Sequence, residues 1–189
     1  MPDEGALVVL DSMTADKLPE VWLRGPVAGV SPLLMPAAHC LLQCREEIAA
    51  TGRALSIEQL WTRPAGAASA GFHLRHIAGS IDRLLTYARG AQLERHQMTA
   101  LRAEGEPGDP PQDAASLVAA AQSAIDVAIA TLHATPDTDL MIARSVGRAG
   151  LPSNVFGLLF HTAEHTHRHT GQLVTTARIV AATSVPNVG

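Results

Sequence analysis

Hydrophobic and polar positions along this chain follow the period of an α-helix. Ala and Leu recur at helical spacing, whereas stretches in which Val, Ile, Thr and aromatic residues alternate are nearly absent. Aromatic residues make up only 3% of the sequence, which leaves few candidates for strands. The pattern therefore predicts an all-α fold.

Four segments have both the length and the end signals of helices. Ser and Asp side chains can cap the first turn of a helix, and Gly or Pro marks where a helix ends. The four predicted helices run from about Pro32 to Gly52, from Ser69 to Gly90, from Asp113 to Pro136, and from Ser153 through VFGLLFHTAEHTHRHTGQLVTTARIV. These helices predict a four-helix bundle, whose interior is a common place for metal ligands on facing helices.

The connections between these helices are long and rich in Pro and Gly. SIEQLWTRPAGAAS and EGEPGDPPQ break the helical periodicity, AQLERHQMTALRAE between them could be helical, and DTDLMIARSVGRAGLPSN is expected to contain one extended piece at Leu140 to Ala143. We therefore predict long crossover connections. Residues 1–29 are expected to form an irregular N-terminal leader, 30–180 the bundle, and 181–189 a flexible C-terminal tail.

Length, charge and cysteine content narrow the class of protein. A chain of 189 residues is within the range of one domain, and a net charge of -4 argues against a nucleic-acid surface. We find no near-continuous apolar stretch long enough for a membrane span, and the acidic N-terminal segment does not resemble a secretory signal. We therefore expect a soluble cytoplasmic protein with no nucleic-acid or membrane partner. Cys40 and Cys44 are expected to be reduced thiols.

Histidine is the residue type that stands out, because four of the nine histidines fall between positions 161 and 169. At about 100° per residue, His161, His165 and His169 share one stripe of the last helix, which we expect to be buried or half-buried. Two histidines four residues apart can bind one metal ion, and a third ligand must then come from elsewhere. The second helix offers His73 and His76, and periodicity alone does not choose between them.

The segment HTHRHTGQL, together with GFHLRHIAGSIDRLL upstream, resembles the DinB-like superfamily of four-helix metalloproteins over roughly residues 30 to 180. In that family a histidine in a pattern like LxHIA joins an HxxxH pair that is followed closely by Gly-Gln. The resemblance implies that His76, His165 and His169 bind one metal ion, with Gly171 and Gln172 completing the motif.

Three neutral imidazoles leave coordination positions open, as in catalytic zinc sites. The expected ion is divalent, and we expect zinc or nickel. Iron and manganese are alternatives, because imidazole suits several metals. The resemblance implies an enzyme acting on a small-molecule substrate, either a hydrolase or a transferase that uses a low-molecular-weight thiol. Basic residues that could bind such a thiol are Arg75, Arg83, Arg144 and Arg148.

Several alternatives stay open at this point. His73 could line the pocket, His161 could add to the site, and a separate metal site at His39, Cys40 and Cys44 is less favoured than plain helix-core cysteines. No catalytic residue is assigned, although the nearby carboxylates are Glu164, Asp82 and Glu58. The competing hypothesis is a non-catalytic, metal-stabilised stress or binding protein that forms a homodimer.

Overall fold

The structure is a computed structural model, which describes residues 18–183. Six α-helices and one β-hairpin follow one another in these residues. Their bounds are α1 Met35–Gly52, α2 Ile57–Trp61, α3 Ala70–Ala88, α4 Arg95–Arg102, α5 Ala114–Ala134, β1 Ala143–Val146, β2 Leu151–Asn154 and α6 Val155–Thr183. The mostly helical architecture confirms the predicted all-α fold.

The four long helices form the bundle, and their packing order differs from their order in the chain. Both α1 and α3 pack against α5 and α6, so that α1 lies diagonally across from α3, and α5 diagonally across from α6. The connections 53–69 and 135–154 therefore cross the bundle end, as the prediction of long crossovers requires. The core between the helices is aliphatic, with fully buried side chains that include Leu41, Ile48, Leu74, Ile77, Ile81, Ile125, Leu132, Leu159 and Leu173.

The ends of α3 and α5 have the predicted capping groups. The Ser69 hydroxyl accepts a hydrogen bond from the Phe72 amide at 3.1 Å, and the Asp113 carboxylate accepts one from the Ser116 amide at 2.7 Å. Gly90 follows α3 with φ of +81°, a conformation that a residue without Cβ adopts at little cost. The first helix begins at Met35, three residues later than predicted.

The connection before α6 corrects two predictions. The extended piece is not at 140–143: β1 begins at Ala143, and it pairs antiparallel with β2, a second strand that the sequence pattern did not reveal. The cap of α6 is Asn154, whose side-chain oxygen accepts a hydrogen bond from the Gly157 amide at 2.7 Å. Ser153 does not cap this helix, because it lies two residues before Val155, the first residue of α6, and pairs with Arg144 in the hairpin.

The α5 helix also corrects the expectation that no segment could span a membrane. By length and composition alone, this helix is apolar enough to do so, and about a third of its most apolar 18-residue stretch is buried in the fold. One such helix is weak evidence for a membrane protein, because a core helix passes the same test. Its buried face packs against α1 and α3, which is the role of a core helix.

Most of the predicted leader, up to residue 17, and the tail from residue 184 lie outside the described residues. The described part of the leader packs on α1, where the Val21 amide donates to the Gln43 side chain at 3.0 Å and Arg24 pairs with Glu46. The division of the chain at residues 29 and 180 stays a prediction.

Candidate metal centre

Three histidines converge where α3 packs against α6. His76 lies on α3, and His165 and His169 lie one turn apart on α6. One ring nitrogen from each of the three lies within 4.8 Å of the others, which is near enough for one ion to reach all three after small side-chain rotations. All three side chains are half-buried. We refer to His76, His165 and His169 as the histidine cluster.

A buried ion pair fixes the orientation of His76. Its Nδ1 lies 2.7 Å from Oε2 of Glu104, and the other carboxylate oxygen of Glu104 accepts a hydrogen bond of 2.7 Å from Arg83. Because a carboxylate only accepts hydrogen bonds, His76 carries a proton on Nδ1. In its neutral form the ring therefore presents the Nε2 lone pair to the cluster.

Two anchors hold Glu104 against α3, although it lies two residues beyond the end of α4. Upstream, the buried Gln97 amide donates to Asp82 and Thr86 on α3 at 2.7 and 2.9 Å. Downstream, the Arg75 guanidinium donates to the carbonyls of 103, 106 and 107 and to the side chain of Gln112. The segment that carries Glu104 is therefore tied to α3 on both sides.

His73 and Phe72 support the cluster from the first turns of α3. Nδ1 of His73 lies 3.1 Å from Nδ1 of His169, a contact that leaves Nε2 of His169 free for a ligand. The Phe72 ring stacks on His76 with 5.2 Å between centroids and 15° between planes. His73 is only 5% exposed. It supports a neighbouring ring and lies outside the group whose donor atoms converge.

His165 has a nitrogen that the protein does not satisfy. Its Nε2 lies 2.8 Å from Nε2 of His76, while its buried Nδ1 has no hydrogen-bond partner in the described part of the chain. In either neutral tautomer, a proton or a lone pair of this ring stays unpaired, and leaving it so is costly. The Nε2 atoms of His165 and His76, which face each other at 2.8 Å, are placed so that one shared ion would replace this contact, which supports the fit of a metal ion to the cluster.

The protonation state of these rings also fits metal binding. Burial, with a smaller contribution from electrostatic repulsion by His76, lowers the pKa of His73 and His165 to about 4 and that of His169 to about 3. At neutral pH these imidazoles are therefore uncharged and keep a lone pair. Burial opposes ionisation of Glu104, but the hydrogen bonds from His76 and Arg83 outweigh it and bring its pKa below the usual value.

The other histidines of α6 lie outside the group of converging donor atoms, although the His161 ring contacts His165 with 5.3 Å between centroids. The His161 side chain is 49% exposed, which corrects the expectation of a buried stripe, and its Nδ1 lies 3.2 Å from Glu164. His167 is exposed on another face of α6 and lies beside Cys40. Both cysteines are free thiols, as predicted, and the described residues contain no converging metal-ligand group that includes them.

Most of the carboxylates and arginines that the sequence singled out have other partners. Glu164 pairs with Arg168, and Asp82 accepts from Gln97. Arg75 ties down the segment after α4, Arg83 pairs with Glu104, and Arg144 donates to the Ala88 carbonyl at 2.7 Å. No basic pocket forms from these arginines.

Glu104 is the site residue that sequence reasoning missed. It stands in a polar segment beyond a short helix, and only the fold brings it to α3. One local signal was available in Gly79, which lies on α3 between His76 and Arg83. A Cβ at position 79 would lie 2.5 Å from Oε1 of Glu104 and 2.7 Å from the Arg83 guanidinium. A glycine there leaves space for this ion pair.

A cavity of about 650 Å³ lies beside the cluster on its α6 side. Its lining residues are Pro64, Ala65, Ala67, Ala68, His73, Arg168, Gly171, Gln172, Thr175, Thr176 and Ile179. Most of these side chains are small or apolar, and His73 connects the wall of the cavity to His169. Ala65 has φ of +49°, a strained conformation for a residue with Cβ. The cavity is large enough for a small organic molecule.

Comparison with known proteins identifies a family. The sequence model of the DinB superfamily matches residues 40–173, which is well over half of the chain. The matched range contains the histidine cluster, Glu104 and Arg83. No curated protein matches this sequence.

Proposed function

The chain belongs to the DinB superfamily, and on that basis we propose that it is a metal-dependent enzyme whose histidine cluster binds one divalent ion. One observation carries this proposal: three imidazoles converge, and the group contains no fourth His, Cys, Asp or Glu donor among the described residues. Catalytic zinc sites have three protein ligands and an open position, whereas structural sites have four. We propose zinc or nickel as the ion, with iron or manganese as alternatives.

His76, His165 and His169 would bind the ion, and their neighbours would orient them. Glu104 accepts a hydrogen bond from Nδ1–H of His76 and so directs the Nε2 lone pair to the site, as a carboxylate partner does in many metal sites. His73 would orient His169 in the same way, through the contact between the Nδ1 atoms of the two rings. A divalent ion in such a site lowers the pKa of a bound water or thiol, which makes it a nucleophile at neutral pH.

We propose hydrolysis as the reaction and transfer of a low-molecular-weight thiol as the runner-up. The transferase version calls for cationic groups to bind the carboxylates of such a thiol. Arg75, Arg83 and Arg144 are engaged by protein partners, and Arg148 is exposed at the tip of the hairpin. The cavity beside the cluster has mostly small and apolar walls and contains Arg168, which pairs with Glu164. This lining favours a small, largely uncharged substrate.

The competing proposal is a non-catalytic protein in which the metal only stabilises the fold. It calls for a closed site with four protein ligands, and the three-donor cluster argues against it. A cytoplasmic location and a homodimer belong to the same set of proposals. Size-exclusion chromatography with light scattering measures the second of these directly.

The open position can be tested by replacing the metal with cobalt(II), whose visible spectrum reports on its coordination. We expect the spectrum of the cobalt-loaded protein to change when azide or 2-mercaptoethanol is added, because an open position accepts an outside ligand. His161→Ala is the matched control, because it removes an exposed histidine one turn before His165, and it should give the same change in the spectrum.

A spectrum that is unaffected by both ligands at saturating concentration would indicate a closed site and contradict the catalytic proposal. Parallel assays then separate the two reactions. Hydrolysis of an activated ester by the metal-loaded protein supports the hydrolase, and turnover of an electrophile only in the presence of a thiol supports the transferase. Neither activity should survive in His165→Ala.

A further inference from the structure

The cavity of about 650 Å³ beside the histidine cluster contains two hydrogen-bonding groups that the metal site does not use. Its wall includes the side chains of His73 from α3 and Thr176 from α6. Both residues are nearly buried, with exposed fractions of 5% and 7%. We refer to this space as the α6 cavity.

Thr176 differs from the other threonines of α6 in its hydrogen bonds. Five of them donate their hydroxyl to the backbone carbonyl four residues earlier, namely Thr162, Thr166, Thr170, Thr175 and Thr183. The hydroxyl of Thr176 makes no such bond, and it has no other partner in the described part of the chain. Because an unpaired hydroxyl at a nearly buried position is costly, this group fits a partner from outside the protein.

His73 offers its second ring nitrogen to the same cavity. Its Nδ1 faces Nδ1 of His169 at 3.1 Å, and its Nε2 has no hydrogen-bond partner among the residues that the structure describes. In the proposed function, His169 binds the ion through Nε2, so its Nδ1 carries a proton and donates a hydrogen bond to Nδ1 of His73. The proton of His73 then lies on Nε2, which is therefore a donor.

Both unpaired atoms can be reached from outside the protein. Within the described residues, Nδ1 of His165 is the one side-chain nitrogen or oxygen that is both enclosed and without a partner. Nε2 of His73 and Oγ1 of Thr176 are therefore not enclosed, and the space that their side chains border is the α6 cavity. Arg168, the arginine of this wall, pairs with Glu164, and most other lining side chains are small or apolar. The cavity thus offers two hydrogen-bond donors in largely apolar surroundings.

We propose that the α6 cavity binds a small uncharged molecule through a carbonyl oxygen, and that His73 and Thr176 select this group. A carbonyl oxygen accepts two hydrogen bonds, which matches the two donors of the cavity. Nε2 and Nδ1 lie on different sides of an imidazole ring, so the bound carbonyl lies away from the edge of His73 that faces His169. The two residues therefore determine specificity, and the carbonyl that they bind is not the group that reacts at the metal. The direction of the His73 hydrogen bond rests on the proposed function, whereas the unpaired hydroxyl of Thr176 does not.

The test is a ligand-detected NMR titration with acetophenone, a small neutral ketone, on both the zinc-loaded and the metal-free protein. We expect saturable binding by the wild type and about five-fold weaker binding by Thr176→Val, which keeps the shape of the side chain and removes one hydrogen bond. Thr176→Ser keeps the hydroxyl and should bind almost as tightly as the wild type. Thr175→Val is the matched control, because it makes the same change in the same wall at a hydroxyl that already donates to the Gly171 carbonyl. Its affinity should equal that of the wild type.

Circular dichroism and zinc content of each variant check that the helices and the metal site are intact. An affinity of Thr176→Val equal to or above that of the wild type, or no binding of acetophenone up to its solubility limit, would overturn the proposal. If zinc binds normally in that case, the proposed metal centre still stands. A wild type that binds no zinc, but binds acetophenone in a way that depends on the Thr176 hydroxyl, would instead contradict the proposed function and support the role of Thr176.

Discussion

Replacing Glu104 by Gln tests how the protein prepares His76 for a metal ion. The carboxylate of Glu104 is buried and uses both oxygens, one for His76 and one for Arg83, each at 2.7 Å. A Gln side chain has one oxygen and one NH₂ group, so it can accept from only one of these two donors. If its NH₂ group faces His76, the ring must move its proton to Nε2, and the lone pair that the ion needs is lost.

The size of the effect follows from the kind of contact. Loss of such a carboxylate partner typically weakens metal affinity about 10- to 100-fold, which corresponds to about 1.4 to 2.7 kcal/mol. The metal-free protein should also lose about 1.5 to 3 kcal/mol of folding free energy, because a hydrogen bond to a charged group is removed at a buried position. Arg83, with a side chain that is 10% exposed, is the other group affected.

The assay is a competition for zinc between the protein and a chromophoric chelator at fixed pH, with urea unfolding of the metal-free protein beside it. Glu106→Gln is the matched control, because it makes the same chemical change two residues away at an exposed side chain. We expect the control to keep wild-type affinity and stability. Wild-type zinc affinity in Glu104→Gln would refute the orienting role of Glu104.

Three further predictions follow from the same contacts. Gly79→Ala should weaken zinc binding and lower the free energy of unfolding by about 1 to 3 kcal/mol, because its Cβ would push Glu104 aside. Gly171→Ala, where a Cβ would meet nothing within 4 Å, should instead stabilise α6 by about 0.5 to 1 kcal/mol. Equal effects of the two substitutions in urea unfolding would contradict this. His161→Ala should retain one zinc per chain by elemental analysis, because that side chain is exposed, and loss of the metal would show that it belongs to the site. In the metal-free protein, His73 is protonated near pH 6.5 in the unfolded chain and only near pH 4 in the folded chain. The contribution of His73 to the free energy of unfolding is therefore fully present above pH 6.5 and is lost as the pH falls to 4. The thermal midpoint should fall less over this range in His73→Asn than in the wild type, and equal falls would contradict the low pKa of His73.

The bundle could be predicted from the sequence because its signals are local. Helical spacing of apolar residues, the caps at Ser69 and Asp113, and Gly90 after α3 each act within a few residues, and each has the predicted role in the structure. The hairpin could not be predicted in this way. Its strands are four residues long, β2 contains a proline, and their pairing depends on a turn between Gly147 and Gly150 that has no periodicity.

The site was predictable where a motif marks it and not where the fold creates it. Two of the clustered histidines are four residues apart on one helix, and the third lies in a recognisable pattern on another, so the resemblance could point to all three. Glu104 is 28 residues from His76, and its role depends on anchors from Gln97 and Arg75 that are visible only in three dimensions. The burial of His73 and the exposure of His161 also depend on packing between helices.

The central claim is that His76, His165 and His169 bind one divalent ion, and metal stoichiometry tests it most directly. The measurement is elemental analysis of the untagged chain after reconstitution with zinc or nickel, beside alanine variants of the three residues. We expect close to one ion per chain in the wild type and loss of the ion in each variant. No bound metal in the wild type, or undiminished binding in the variants, would contradict it.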